Sequence, residues 1–422
     1  MTKKIAIIGS GISGLTAAYL LNKNHDITLF EKEKRLGGHT ATIDIEHNNR
    51  SYAIDTGFIV FNDWTYPNFI ELLSQIGVAS QPTSMGFAVS CDATGLEYSG
   101  ENLNTIFAQR KNMLSPKFYT MLRDIIRFNR EARNDLQRQS ISADMSLGEY
   151  LEANNYSDSF SRFYLVPMGA AIWSASLAKM KEFPVHFFVQ FFHNHGLLNI
   201  FDRPQWHVIK GGSKEYITPL TKSFADKIFC DAEIKTVERS NDGVILHFNN
   251  GEALSFDDVV FATHSDQALD LLQSPSDAER DILEQIPYCE NSVVLHTDTH
   301  LLPKIKKTWS SWNYRLQADN DLSMNALPVV TYNMNILQGI SSEDTFCVTL
   351  NADELIDESK ILGRFRYAHP QFSVAGIEAQ KRWQEINGVN HTWFCGAYWA
   401  NGFHEDGVVS ALRVAKCFGE TL

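Results

Sequence analysis

Lys3-Lys4-Ile5-Ala6-Ile7-Ile8-Gly9-Ser10-Gly11-Ile12-Ser13-Gly14-Leu15-Thr16-Ala17-Ala18-Tyr19-Leu20-Leu21 opens the chain with an apolar run, a glycine-rich turn and a helical repeat. Ile5 to Ile8 is wholly apolar, as a strand buried on both faces is. Gly9 to Gly14 breaks the run, and Leu15 to Leu21 then repeats its apolar positions at helical spacing. A second β-like run, Asp26 to Phe30, ends at Glu31. Strand, GxGxxG turn, helix, strand and acid in that order predict a dinucleotide site. Gly9 makes the tight turn, Gly11 lets the backbone approach a pyrophosphate, and Gly14 packs helix on strand. The helix N-terminus, at Ile12 and Ser13, turns free N–H groups and a positive dipole end to the phosphates. The Glu31 carboxylate suits both hydroxyls of an adenosine ribose.

Glu31-Lys32-Glu33-Lys34-Arg35-Leu36-Gly37-Gly38-His39 carries the site past the second strand. It resembles the extended fingerprint of the glutathione-reductase-type flavoproteins. The chain resembles the flavin amine oxidase and carotenoid (phytoene) desaturase superfamily, and most closely a bacterial branch of FAD-binding oxidoreductases linked to lipid metabolism. The resemblance implies noncovalent FAD, with Lys32, Arg35, Gly37, Gly38 and His39 continuing its site. His39 stands where arginine is usual, and imidazole can donate to a phosphate oxygen without an obligatory charge. In such proteins the segment matching Asp55-Thr56-Gly57-Phe58 passes along the isoalloxazine, which makes Thr56, Gly57 and Phe58 candidate neighbours of the ring. Gly57 as a simple strand bend is the other reading. The residue matching Val237 offers its backbone to the adenine edge.

The resemblance also covers the last stretch. Thr392 to Gly396 reads as a buried strand, residues 397–407 as a loop and Val408 to Cys417 as a helix. In the superfamily such a helix points its N-terminus at the pyrimidine end of the flavin, which places Gly396, Asp406, Gly407 and Val408 in the site. Asp406 is suited to cap that helix. Ala397 follows the strand glycine where many amine oxidases have an acid, and this looks more like the desaturase version.

The expected fold class is α/β: a glutathione-reductase-type, Rossmann-like FAD-binding domain interwoven with an α+β substrate domain. The segments are FAD-binding at 1–62, 204–288 and 386–422, and substrate-binding at 63–203 (mainly helical) and 289–385. At 422 residues the chain is too long for one ordinary core. Its 37 Lys and Arg against 50 Asp and Glu leave a net charge of −13, which argues against nucleic-acid binding. Six scattered cysteines suit a reducing, cytoplasmic setting, and no metal-ligand spacing occurs. A strand begins within a few residues of Met1, so no signal peptide is expected. No uncharged run reaches the ~18–20 residues of a spanning helix.

Phe183 to Phe201 is unusually aromatic, with His186, His193 and His195 interleaved. It reads either as plain core or as the wall of a long apolar pocket, with Phe191, Tyr398 and Trp399 as candidate substrate contacts. An arginine row on the long helix expected over Ser115 to Gln139 reads as a solvated face, or as a cationic patch for peripheral membrane contact. Flavin dehydrogenation sometimes needs a base. His404 and Glu405 in the closing loop are the first candidates, followed by His264, Tyr332 and His369. The expected function is an FAD-dependent oxidoreductase desaturating an apolar, unsaturated fatty-acyl or lipid substrate. The alternatives are a flavin amine oxidase, and a flavin-bound lipid isomerase or non-redox lipid-binding module. Oligomeric state is not legible.

Overall fold

The computed structural model describes residues 2–142, 144–317 and 325–422. Its organising element is a parallel sheet in the order Ile228–Phe229, Asp26–Phe30, Lys4–Ile8, Asp258–Phe261 and Thr392–Phe394. Lys4–Ile8 lies at its centre with every residue after Lys4 buried, as its apolar run demands. The helix Ile12–Leu21 is buried at every position except Tyr19. It has no polar face because it lies between this sheet and the helix His404–Cys417.

A second, seven-stranded sheet runs Ile361–Pro370, Tyr288–His296, Cys347–Leu350, Val329–Asn333, Trp312–Leu316, Phe87–Cys91 and Leu96–Ser99. Its neighbours are antiparallel except for Trp312–Leu316 beside Phe87–Cys91, which is parallel. Strands from residues 87–99 therefore share a sheet with strands from residues 288–370, so the chain crosses repeatedly between sheets. The expected hairpin forms as Thr42–His47 against Arg50–Asp55, and Asn48 and Asn49 both take positive φ at its turn. The three-stranded meander is Ile234–Ser240, Gly243–Phe248 and Ala253–Phe256.

Pro67 starts a helix that Gly77 ends in the left-handed conformation, φ 72°, and that packs in the core of the parallel sheet beside His404–Cys417. Other helices cover the second sheet. Ser115 caps the longest, Pro116–Gln137, whose Phe118, Met121, Phe128 and Ala132 join one large aromatic core. Ile126 on the same helix is 58% exposed. Helix Val185–Asn194 buries Phe188, Phe191 and Phe192 in the same core, but Phe201 stands in solvent. All six cysteines are free.

Candidate cofactor and active site

The fingerprint glycines are each required for a different reason. Gly9 has φ +101°, and a Cβ there would meet the Ala262 carbonyl oxygen at 2.7 Å. A Cβ on Gly14 would lie 1.9 Å from the Gly9 carbonyl oxygen, so helix and strand can touch only through glycine. A Cβ on Gly11 would meet nothing within 4 Å. The protein itself therefore places no demand on that glycine. Gly11 also caps the helix by backbone alone, with no side chain and no acid closing the first turn. Glu31 accepts from Ser10 N (2.8 Å) and Ser10 Oγ (2.5 Å) on one oxygen and from Glu33 N (2.8 Å) on the other. Its second oxygen keeps room for a further donor.

Ser10 also accepts at its carbonyl from Gly37 N, 3.1 Å, which ties the paired glycines to the first turn. Arg35 is exposed and donates to the carbonyls of Gly38 (2.7 Å) and Thr40 (3.0 Å), while Lys32 stands in solvent. Gly38 lies over Gly11, where its Cβ would come 3.3 Å from Gly11 Cα. Gly57 is needed because a Cβ would sit 2.1 Å from the His39 carbonyl oxygen, a close crossing of two backbones. The simple strand bend is thus not its reason. Thr56 Oγ1 meets Tyr367 OH at 2.8 Å. Val237 is fully buried and its carbonyl accepts from Gln273 N at 3.1 Å, so its edge is partly taken.

Gly407 brings the closing helix against the first: its Cβ would meet Ile12 Cγ2 at 2.6 Å and Ser13 Oγ at 2.9 Å. Two helix N-termini therefore converge beside the glycine turn. Gly396 N donates to Ser410 Oγ (2.8 Å), and Val408 is fully buried. Asp406 accepts from Phe403 N at 2.9 Å, closing the N-cap amide and not, as expected, the first helical N–H groups. Burial pushes its carboxyl up to about 6. An open glycine turn, two converging helix ends and a partly satisfied Glu31 together fit a dinucleotide.

The expected bases, His404 and Glu405, are both buried and already hydrogen-bonded. Glu405 Oε1 accepts from Asn68 N (3.1 Å) and Asn68 Nδ2 (2.6 Å), and Oε2 accepts from Phe69 N (2.9 Å). It closes the N-terminus of helix Pro67–Ile76 and is a structural carboxylate. Glu405→Gln should cost ~1–3 kcal/mol of stability by leaving a buried N–H without an acceptor. Chemical denaturation checks this; unchanged stability with lost turnover would return Glu405 to catalysis. His404 stacks on Phe58 at 3.4 Å, and its Nε2 meets Thr40 Oγ1 (3.1 Å) and Tyr216 OH (3.2 Å). Thr40 and Tyr216 also bond to each other. Burial holds this imidazole well below its usual range.

A different cluster gathers where Gly57 crosses His39. The His39 ring lies 5.4 Å from His369, 5.4 Å from Tyr367 and 6.2 Å from His264, and His264 stacks on Tyr288 at 4.0 Å. Burial lowers His39 and His264 to about 4 and His369 to about 3, so all three are neutral. The His369 tautomer follows from its partners. Asn351 Nδ2 donates to Asn291 Oδ1 (2.9 Å), which turns Asn291 Nδ2 toward His369 Nδ1 (3.2 Å). Nδ1 must then carry the lone pair and Nε2 the proton. Ser174, in the left-handed conformation at φ 52°, meets the same Nδ1 at 3.0 Å. His39 Nε2 is buried without a partner among the described residues. Tyr367 and His369 sit two apart on one strand, a period-two signal that could have paired them in the sequence.

Two cavities flank an aromatic wall. One of about 420 Å³ is lined by Trp64, Tyr66, His195, Phe403, Glu405 and Asp406 among others. The second, about 290 Å³, is lined by Trp173, Lys179, Phe183, Pro370 and Phe372 among others. The wall stacks Trp173 on Phe191 (4.8 Å), Phe191 on Phe403 (5.2 Å) and Phe187 on Phe372 (5.4 Å). Phe191 lines neither cavity; it is 4% exposed and backs the wall from the core. Tyr398 and Trp399 are also core, packed with Phe261 and Phe394 under the parallel sheet. Phe403, passed over in the sequence, is the closing-loop residue that meets the aromatic stretch.

The family model for flavin containing amine oxidoreductases matches residues 12–333. The chain belongs to that family. This flavoenzyme is an FAD oxidoreductase. The carotenoid phi-ring synthase of Chlorobaculum tepidum is 30% identical over 102 residues, 24% of this chain and only 16% of that protein's own length. Wild-type putrescine oxidase bound to putrescine superposes over 99% of both chains with a TM-score of 0.69 at 15% identity. The CLA-producing fatty acid isomerase from P. acnes gives 0.70 at 14% identity, over 99% of this chain and 98% of that one. At those identities the likeness is one of fold: a Rossmann-like parallel sheet joined to a second, mixed domain. Among the described residues no group of His, Cys, Asp and Glu could hold a metal. None of the helices there is long and apolar enough to cross a membrane.

Proposed function

We propose that this oxidoreductase desaturates an apolar, unsaturated fatty-acyl or lipid substrate, with noncovalent FAD held along the glycine turn. Gly9 to Gly14, Glu31, Arg35 to His39, Thr56 to Phe58 and the N-terminus of the closing helix would hold the cofactor. The flavin would supply hydride acceptance. The observation that supports an apolar substrate is the aromatic wall. Its second cavity adjoins the neutral histidines through Trp173–Ser174 and His369–Pro370. That cavity's aromatic rings and the adjoining histidines are neutral, and the Glu182 carboxylate on its rim stands beside Lys179 in the same lining. His369, with Nε2 protonated, acts as a fixed hydrogen-bond donor, and the unpartnered Nε2 of His39 is the nearby ring atom free to meet a substrate or cofactor.

One observation favours the amine reading: Glu405 and Asp406 line the larger cavity. Both carboxylates already accept backbone N–H groups, which weakens it. Anaerobic mixing of the holoenzyme with small amines and with fatty-acyl lipids separates the readings. Loss of oxidised-flavin absorbance should follow the lipids. Each methylene removed should weaken binding by ~0.8 kcal/mol. Bleaching by amines alone would overturn the proposal. Acyl-chain binding without bleaching would point to the isomerase or lipid-binding alternative.

A further inference from the structure

We infer that this oxidoreductase docks on an anionic phospholipid surface through the outer face of helix Pro116–Gln137 and the turns that precede it. Tyr119, Arg123, Ile126 and Arg130 are all exposed on that helix. Their spacings of four, three and four residues place them on a single stripe. Two short turns before the helix, Leu103–Ile106 and Arg110–Leu114, hold up Leu103, 74% exposed, and Leu114, 88% exposed. Met113 between them is half exposed.

Cations surround these apolar tips. Arg110, Lys111 and Lys117 come from the same segment, and Lys304, Lys306 and Lys307 from a neighbouring loop, all exposed. The two segments are tied together, because Arg110 Nη2 (2.8 Å) and Lys307 Nζ (3.4 Å) both donate to Asn104 Oδ1. Glu101 just before these turns and Asp158 in the neighbouring helix Asp158–Phe160 are exposed carboxylates nearby, while Glu97 turns inward to accept from Lys304 N and Ile305 N. Arg123 and Arg130 meet Asp124 and Glu131 only at 3.7 and 3.6 Å. In a chain with net charge −13, this face reverses the sign of the rest.

The pairing of exposed leucines with cations selects the partner. A phosphate backbone of nucleic acid would use the cations and leave Leu103 and Leu114 in water. A second copy of the same face would set cation against cation. An anionic bilayer uses both: its headgroups meet the lysines, and its acyl boundary takes the leucines. The underside of this face, through Ile106, Phe107 and Phe118, is packed into the core that forms the aromatic wall. The inference stands apart from the substrate reading, since the surface has this character whatever the chemistry behind it.

The test uses the holoenzyme and vesicles of phosphatidylcholine alone or mixed with phosphatidylglycerol. Co-sedimentation should rise at least about tenfold with phosphatidylglycerol and fall with added salt. Leu103→Asp with Leu114→Asp, and separately Lys306→Glu with Lys307→Glu, should each lose at least about tenfold in binding. Flavin absorbance and Tm should not change, because all four side chains are in solvent. Equal binding to both vesicle types, binding to neither, or variants that bind like the parent would each overturn the inference. So would self-association through this face in light scattering, relieved by the leucine variants, or retention on duplex DNA that those variants leave unchanged.

Discussion

Between about pH 6.5 and pH 5 the protein is expected to lose stability steeply, read as a falling Tm across a buffer series. The cause is six histidines held neutral by burial. His39, His195, His264 and His296 are lowered to about 4, His369 to about 3, and His404 well below its usual range. Each takes a proton in the unfolded chain at the ordinary value of 6.5, but in the folded state only at much lower pH. The unfolded state therefore binds more protons across this window, so stability is fully present above about 6.5 and drains away as pH falls. For the buried pair His195 and His296, roughly 2 kcal/mol apiece is lost by pH 5. Asp55 and Asp406 act oppositely. Burial raises both to about 6, so they take up protons in the folded state first and gain stability as pH falls. Six groups outweigh two. A Tm that stays flat from pH 7 to pH 5.5 would refute this, and His195→Gln should flatten part of the slope.

The second large effect separates two glycines three residues apart. Gly14→Ala forces a methyl to 1.9 Å from the Gly9 carbonyl oxygen and to 3.0 Å from Ala262 Cβ. Backbone cannot yield as a side-chain tip can, so the apo-protein should lose on the order of 3 kcal/mol or fail to fold. Gly11→Ala places its methyl in open space and should leave the apo-protein's Tm unchanged. Its cost should appear only on titration with FAD, as a Kd raised at least about tenfold, ~1.4 kcal/mol. Equal loss of Tm in both variants would mean that Gly11 serves the fold and that the phosphates lie elsewhere.

The parallel sheet was legible because its strands are buried on both faces, which leaves continuous apolar runs such as Ile5–Ile8 and Val259–Phe261. The glycine turn was legible because Gly9 and Gly14 answer backbone collisions and Gly11 between them keeps the turn open. Function-bearing side chains were less so. His404 and Glu405 sit in the right loop, but packing turned one against Phe58 and the other onto the amides of Asn68 and Phe69, contacts more than 330 residues away in sequence. The histidine cluster draws on His39 and His264 from two loops and His369 from the second sheet, and no local pattern joins them. Phe191 shows the limit of composition: an aromatic-rich stretch announces burial, but which ring faces a cavity depends on its partner Phe403, fixed only by the fold.

The order of the parallel sheet bears on how the protein is made. Strand Lys4–Ile8 and its helix are made well before Asp258–Phe261, the strand beside them, which follows some 250 residues later, and before the helix carrying Gly407, almost 400 later. At ~5–20 residues per second, that is roughly 20 to 80 seconds of waiting. Lys4–Ile8 pairs early with Asp26–Phe30 and the helix packs on both, but the strand's other edge and the helix's outer face stay uncovered until those later elements arrive. The cradle that Gly407 closes is therefore complete only once the last helix has been made.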